Sequence, residues 1–334
     1  MPNEHSVAQT GFICLYPIGG MVGYSDGPDV VGMGGVRFSR SQIVSRDWKE
    51  LGFIEDPVAA IREPGGTEDG DCNVFAIVTL DGGEQDPSAA ASRHGDKALR
   101  HLLSCNPAWT RKHNRRPLVP GASVVKLLGF KYVQNLSAMS GGRTTWTSSG
   151  PLHEIRFDGF WWANSKSGFY SELDSLLKKS PRSPWEESLV SVSELLGAAR
   201  LAATPWESFF HSMVGIERLL KKRNEEWRKR IPPALQTLFG WLSMNRGDWY
   251  AQELEKLYKL RNQLVHQGQA LAIEESHAAL ADEVLYNCLS LGLKHVNQVG
   301  SLKGLLKEAA LATDQKRTGL APTALPNALV VYPA

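Results

Sequence analysis

Three side chains suited to proton transfer and anion binding lie within six residues of one another, at Arg261, Asn262 and His266. A guanidinium binds anions through several N–H groups, and an imidazole donates or accepts a proton near neutral pH. An asparagine four residues before a histidine on a helix can hydrogen-bond one imidazole nitrogen and so fix which nitrogen faces a substrate. We therefore interpret the segment LYKLRNQLVHQG as a candidate catalytic helix.

The pattern around Arg261 predicts that its guanidinium is not an ordinary surface charge. Arg261 falls within an apolar stripe at helical spacing, seven residues after Leu254 and three before Leu264. Burying a charge is costly unless the charge is paired or lines a polar cleft. Two interpretations stay open at this point: a structural ion pair with Glu217, or a functional role. His266 has a structural alternative too, as a cap at the end of its helix.

The second half of the chain is predicted to be helical. Ser183-Pro-Trp-Glu and Thr204-Pro-Trp-Glu each offer an N-cap hydroxyl, a proline at the first helical position and a glutamate at the third. Further helices are predicted through Leu242 after Pro232 and Pro233, from Asp248 to Gly268, and from Ile273 to Val299. The apolar face of the helix that starts after Thr204 comprises Phe209, Phe210, Met213, Ile216 and Leu220. The apolar face of the helix from Ile273 to Val299 comprises Leu280, Val284, Cys288 and Leu291.

The first half is predicted to be β-rich. Short strand candidates occur in GFICLYP, VVGMGGVRF, NVFAIVTL and EIRFDGFWW, with one short helix from about Asp96. The segment KKSPRSP separates the two halves. We therefore predict an α+β protein with a β-rich domain at 1–177, an all-α domain at 183–300, and a C-terminal helix and flexible tail at 301–334, in which the tail begins at Thr313.

Arg261-Asn262-Gln263-Leu264-Val265-His266 resembles the signature of the HEPN superfamily, in which an arginine and a polar residue precede a histidine at this kind of spacing. The stretch LYKLRNQLVHQG is similar to the ApeA-like HEPN group of prokaryotic antiphage defence, and SFFHSMVGIERLL is similar to that group's second helix. Glu217, followed by Lys221 and Lys222, resembles a second motif of the superfamily, although Lys222 replaces the more usual arginine. The resemblance covers roughly residues 183 to 300.

This resemblance implies an all-α HEPN bundle that dimerises and cleaves RNA without a metal or other cofactor, through attack by the neighbouring 2′-hydroxyl and formation of a cyclic phosphate. It implies catalytic roles for Arg261, Asn262 and His266, with Glu217 and Tyr258 in support. Such a protein would be a toxin or abortive-infection effector, triggered by a ligand or protein through its N-terminal domain. The alternative is a non-catalytic HEPN scaffold that acts as a dimerisation or nucleotide-binding regulator.

Helix geometry favours a homodimer for this chemistry. His266 lies about 140° around the helix axis from Arg261, too far for one helix to surround a phosphate. Two copies across a two-fold axis would bring two arginines and two histidines into one cleft.

The overall charge gives no global signal for nucleic-acid binding, because 37 basic residues face 35 acidic ones. Local candidates for RNA binding are therefore considered, each with an exposed loop or solvated helix face as the simpler alternative. They are Lys221 and Lys222 in the run to Arg230, and Arg111, Lys112, Arg115 and Arg116 near Trp109.

Other classes of site are not indicated. The four cysteines are widely spaced and form no CxxC pair, which argues against a structural zinc or a disulfide framework. The first residues have neither the charge nor the apolar run of a signal peptide, and no segment is apolar enough to span a bilayer. A cytoplasmic location without a membrane partner is expected.

Overall fold

The computed structural model describes residues 11–19, 21–61, 74–106, 126–127, 131–135, 140–144, 155–202, 204–221, 225–246, 248–267 and 273–317. Among them, those up to Leu99 and those within Ala122–Ala163 form one compact unit. Those within Arg100–Gly121 and those from Asn164 onward form a second. The fold is α+β, with an antiparallel sheet in the first unit and mostly helices in the second.

The first unit is built on a sheet with the strand order β3-β4-β5-β1-β7-β8, in which β6 also pairs with β1. All neighbours in this sheet are antiparallel, whereas β2 and β9 form a separate parallel pair. The strands are β1 (Gly11–Gly19), β2 (Met21–Gly23), β3 (Val30–Met33), β4 (Val36–Arg40), β5 (Val74–Asp81), β6 (Lys126–Leu127), β7 (Lys131–Asn135), β8 (Ser140–Thr144) and β9 (Ile155–Phe157).

Alternation along the two central strands creates the core of this unit. Ile13 and Leu15 of β1 pack with Phe75 and Ile77 of β5, and the cluster is completed from the segment that contains α1 (Ser41–Arg46) and α2 (Pro57–Ile61). On the other face, the hydroxyl of Tyr16 donates a hydrogen bond to the backbone carbonyl of Ser88, in α3 (Pro87–Ser104). Both faces are covered, which explains why β5 is a nearly continuous apolar run.

The predicted strands in GFICLYP, VVGMGGVRF and NVFAIVTL are confirmed, and the second of them is a hairpin. Gly34 and Gly35 form its two-residue turn with φ of 57° and 89°, a conformation in which a side chain would be strained. The predicted helix from about Asp96 begins instead at Pro87, because the carboxylate of Asp86 accepts a hydrogen bond from the backbone N–H of Ala89 and caps it.

The segment EIRFDGFWW was expected to be a strand, and only Ile155–Phe157 is one. Asp158 ends the strand because its carboxylate accepts a hydrogen bond from the backbone N–H of Trp161 at 2.7 Å and starts a helix. That helix is α4 (Gly159–Ser167), and Trp161 packs in the core against Phe157.

The remaining helices are α5 (Tyr170–Lys178), α6 (Pro184–Leu201), α7 (Pro205–Leu220), α8 (Trp227–Arg246), α9 (Asp248–Gln267), α10 (Glu275–Lys294) and α11 (Leu302–Arg317). Helix α7 packs against α6 and α10, while α8 packs against α7, α9 and α11. The boundary predicted around KKSPRSP falls between α5 and α6, inside the second unit.

The predicted helix starts are largely confirmed. Ser183 and Glu186 form a reciprocal capping box, in which each side chain accepts a hydrogen bond from the backbone N–H of the other. Thr204 also accepts from the backbone N–H of Glu207, but its hydroxyl donates to the Glu207 carboxylate, so this cap is not reciprocal.

Three details of the helical prediction were wrong. Helix α8 begins at Trp227, so that Pro232 and Pro233 lie inside it rather than before it. Phe210 is exposed, unlike the other members of the predicted apolar face of α7, which are buried. Helix α11 continues to Arg317, so Thr313 is helical, and the rest of the predicted flexible tail lies outside the described residues.

Within the described part of the chain, no helix combines the length and the apolar character needed to cross a membrane.

Candidate functional site

Arg261 of α9 forms an ion pair with Glu217 of α7. Its Nε lies 2.6 Å from Oε1 of Glu217, and its Nη2 donates a hydrogen bond to Oε2 at 2.9 Å. The two side chains are 25% and 17% exposed, so the pair is largely but not wholly removed from water. Arg261 is partly buried because it lies on the apolar stripe of α9, in which Leu257, one turn earlier, is fully buried. The structural alternative for Arg261 therefore has its predicted partner in place.

Asn262 contacts Arg261 rather than His266. Its Oδ1 accepts a hydrogen bond from Nη1 of Arg261 at 3.3 Å. A guanidinium has no acceptor, so the amide oxygen must face Arg261 and the amide nitrogen must point elsewhere. Among the described residues no hydrogen bond joins Asn262 to His266, and the orienting interaction expected from their spacing is not formed.

His266 lies in the last turn of α9 and is exposed, next to the exposed Val265. Its imidazole is therefore accessible to a ligand from solvent. Arg261 and His266 are five residues apart on one helix, which corresponds to about 7.5 Å along the axis and about 140° around it. A single helix does not bring both side chains onto one face.

Tyr258, one turn before Arg261, stacks on Trp227 at the start of α8. The ring centroids are 4.5 Å apart with an interplanar angle of 22°, and Trp227 is buried. This contact fixes the beginning of α8 against the helix that carries Arg261. Sequence reasoning missed Trp227, because it lies in the basic run from Lys221 to Arg230 and was considered only as part of a charged surface.

Two members of that basic run, Lys229 and Arg230, are paired with acidic neighbours. Nζ of Lys229 lies 3.0 Å from Oε1 of Glu226, and Nε of Arg230 lies 3.4 Å from Oε2 of Glu225. Lys221 is the C-cap of α7, where its backbone N–H donates to the carbonyl of Glu217. These contacts favour the solvated-face interpretation. The other candidate RNA-binding residues lie outside the described residues: Lys222, Arg111, Lys112, Arg115 and Arg116.

A second arginine, Arg200 of α6, was missed entirely. It forms a bidentate ion pair with Asp282 of α10, with Nε to Oδ2 at 2.9 Å and Nη2 to Oδ1 at 2.8 Å, and the side chains are 1% and 2% exposed. Its Nη1 donates to three carbonyls where α3 ends, those of Leu103, Ser104 and Asn106. In the sequence, the only signals of this pair are one charge near the end of an apolar helix, Arg200, and one charge within another, Asp282.

Cysteine chemistry is disfavoured at two of the described thiols, those of Cys105 and Cys288. Cys105 and Cys288 are fully buried, and burial raises the pKa of both thiols well above its usual range. A thiol that stays protonated is a poor nucleophile and a poor metal ligand.

In the described ranges, no three His, Cys, Asp or Glu side chains are grouped so that they could hold a metal ion. No family model, curated protein or solved structure matches the chain.

Proposed function

We propose that the protein is a metal-independent RNA endonuclease with a HEPN-type helical domain, in which Arg261, Asn262 and His266 act on the substrate. The observation that carries this proposal is the ion pair between Arg261 and Glu217. The two residues belong to the two separate segments that resemble motifs of the superfamily. They are 44 residues apart in sequence and 2.6 Å apart in space. The resemblance assigns Glu217 a supporting role at this site, and its contact with Arg261 agrees with that role.

The proposed step is a transesterification within the RNA strand. The 2′-oxygen attacks the adjacent phosphorus, so that an O2′–P bond forms and the P–O5′ bond breaks. One proton leaves the 2′-hydroxyl for a general base, and another is delivered to O5′ by a general acid. The products are a 2′,3′-cyclic phosphate and a 5′-hydroxyl. Arg261 offsets the negative charge that develops on the phosphorane oxygens.

His266 is the proposed proton-transfer group, because it is exposed and combines the right chemistry with a place on the same helix as Arg261. The step requires two proton transfers, and each chain supplies one such histidine. We therefore assign the second histidine to a second copy of the chain, in a homodimer whose two α9 helices face each other.

The proposed biological role is that of a cytoplasmic toxin or abortive-infection effector. The first unit would then sense the trigger or recruit a partner. The sheet and the helices that carry the proposed nuclease site belong to separate compact units, which supports assigning sensing to one unit and cleavage to the other.

A non-catalytic scaffold is the second candidate, and one observation favours it. Glu217 neutralises Arg261 within the chain, so the arginine is satisfied without any substrate. In that case α9 would serve dimerisation or regulation.

Controlled expression in a bacterial host distinguishes the two candidates. Induction of the nuclease, with its trigger where one is needed, should arrest growth and fragment host RNA. Arg261→Ala and His266→Ala should abolish both effects. Lys259→Ala and His94→Ala are matched controls, because they remove an exposed charge from α9 and an exposed histidine from α3, and both should remain toxic. Intact RNA and normal growth with the wild type under the same conditions would favour the scaffold.

A further inference from the structure

Two aromatic side chains of α7, Trp206 and Phe210, form an exposed aromatic patch. They are 38% and 37% exposed, although Phe209 and Met213 of the same helix are buried. The ring of Phe210 contacts His211 edge-on, with ring centroids 6.0 Å apart and an interplanar angle of 63°. A single exposed apolar side chain is ordinary, but residues four apart on a helix are neighbours, so these two rings share one face.

The start of α7 does not explain why its tryptophan is exposed. The motifs at Ser183–Glu186 and Thr204–Glu207 have the same pattern, and in both the hydrogen bonds of the cap join the hydroxyl residue to the glutamate. Trp185 of the first motif is only 8% exposed and lies next to Gly292 of α10. Trp206 of the second motif contributes its ring much less to the core. The same local sequence therefore uses one tryptophan for packing and leaves the other accessible.

The aromatic patch is in line with Glu217 on α7. From the rise and turn of an α-helix, Phe210 precedes Glu217 by about 10.5 Å along the axis and about 20° around it. Trp206 precedes Glu217 by about 16.5 Å along the axis, again within about 20°. Glu217 forms the ion pair with Arg261, so the patch and the proposed nuclease site are on the same side of α7. A strand bound at Arg261 can continue along α7 onto the two rings.

The size of the patch suits nucleobases better than a protein partner. Aromatic side chains bury about 150–250 Å² each when fully packed, so the exposed fractions correspond to an area on the order of 150 Å² for both rings together. A stable protein interface needs about 800 Å² from each partner. Stacking on a base needs only the face of a ring, and every base offers one.

The charges along α7 are compatible with a nucleic acid strand. Oε2 of Glu207 accepts a hydrogen bond from the hydroxyl of Thr204, and the carboxylate of Glu217 is paired with Arg261. Arg218 is exposed at the next position of the helix. An exposed guanidinium attracts the phosphate backbone of a strand whose bases lie on the rings.

We propose that Trp206 and Phe210 form a nucleobase-stacking subsite, which binds bases of the RNA strand about three nucleotides from the bond that is cleaved. The offset follows from the 10.5 Å between Phe210 and Glu217, because stacked nucleotides in one strand are about 3.4 Å apart. The two rings bind the strand and take no part in proton transfer. The choice of RNA and the position of the cleaved bond rest on the proposed function, whereas the subsite itself requires only a strand with unpaired bases.

The test compares two probes that cannot be cleaved. One is a fluorescent 2′-O-methyl oligoribonucleotide of about ten nucleotides, within the range of about 4–16 nucleotides that single-strand binding sites cover. The other has the same length and charge, but abasic spacers replace its nucleosides. Dissociation constants are measured by fluorescence anisotropy for full-length wild type, Trp206→Ala, Phe210→Ala and Trp206→Phe, with thermal melts to verify folding.

We expect the wild type to prefer the probe that carries bases. Trp206→Ala and Phe210→Ala should each weaken binding of that probe about fivefold or more and change binding of the abasic probe by at most about twofold. Trp206→Phe retains a ring and should lose less than Trp206→Ala. Leu311→Ala is the matched control, because it removes an exposed apolar side chain from α11 and should leave both dissociation constants unchanged.

Three results would overturn the subsite. The first is a wild type that binds both probes equally, and the second is equal weakening by Leu311→Ala and Trp206→Ala. The third is dissociation of a wild-type dimer by Trp206→Ala in sedimentation, because a second copy of the chain would then cover the patch.

Cleavage assays separate this proposal from the nuclease proposal. A dinucleotide is too short to reach from Arg261 to the patch, so Trp206→Ala should lower kcat/KM for a longer RNA and not for a dinucleotide. A wild type that shows base-dependent binding through the two rings but cuts no RNA keeps the subsite and refutes the nuclease. A protein that cuts the longer RNA equally well with and without the rings keeps the nuclease and refutes the subsite.

Discussion

Replacing Arg200 by alanine should destabilise the helical unit severely, because it leaves the carboxylate of Asp282 buried without its partner. Both side chains are at most 2% exposed, and the guanidinium meets the carboxylate through two hydrogen bonds of 2.8 and 2.9 Å. The substitution also removes the donor shared by three carbonyls at the end of α3. Removing one member of a buried pair typically costs about 3–5 kcal/mol. That is a large share of a typical total stability of about 5–15 kcal/mol.

Arg182 provides a matched control of nearly the same chemistry. Its Nε lies 2.7 Å from Oε1 of Glu187, and its Nη1 donates to three carbonyls at the end of α5. The difference is exposure, since Arg182 and Glu187 are 23% and 53% exposed. Arg182→Ala should therefore cost about 1 kcal/mol or less.

The measurement is urea-induced unfolding of the purified full-length variants, followed by circular dichroism. The double variant Arg200→Met/Asp282→Leu removes both charges and should recover at least half of the loss caused by Arg200→Ala. Equal destabilisation by Arg200→Ala and Arg182→Ala would refute the reasoning, because burial would then not determine the cost.

Three further outcomes are expected. Burial, with a contribution from Arg100, lowers the pKa of His211. The unfolded chain therefore takes up a proton on His211 more readily than the folded chain does, and the free energy of unfolding should fall as the pH drops below the usual pKa of 6.5. An unchanged slope of the free energy of unfolding against pH in His211→Gln would contradict this expectation. EDTA should leave RNA cleavage intact, because proton transfer is assigned to His266. A loss of cleavage in EDTA that magnesium restores would contradict the metal-independent mechanism. Sedimentation should show a homodimer at micromolar concentration, and a monomer with full specific activity would exclude the composite site.

The features predicted well from the sequence are those set by local interactions. The helix starts at Ser183 and Thr204 were predicted because the cap and its partner are three residues apart. The end of helix α9 was predicted to within one residue because Gly268 is a plausible C-cap in the sequence. The start of α3 was missed although Asp86-Pro87 carries a related signal, since the alanine-rich segment that follows has no long apolar face.

The features that were missed depend on residues distant in the chain. The pair of β2 with β9 joins Met21 to Ile155, and although EIRFDGFWW was recognised as a strand candidate, nothing in it identifies its distant partner. Arg200 and Asp282 are 82 residues apart, so neither charge identifies its partner. Glu217 could be named as a partner of Arg261, because both are charges on apolar helix faces. The orientation of Asn262 could not be predicted, since spacing alone allows its amide to reach either Arg261 or His266.

Mapping the RNA ends produced by the purified protein tests the nuclease proposal most directly. Wild type, Arg261→Ala and His266→Ala are incubated with total RNA, and the new ends are analysed chemically. We predict 2′,3′-cyclic phosphate and 5′-hydroxyl ends from the wild type, with cleavage at least about 100-fold slower in both variants. Ends with a 3′-hydroxyl and a 5′-phosphate, or full activity of His266→Ala, would contradict the proposal.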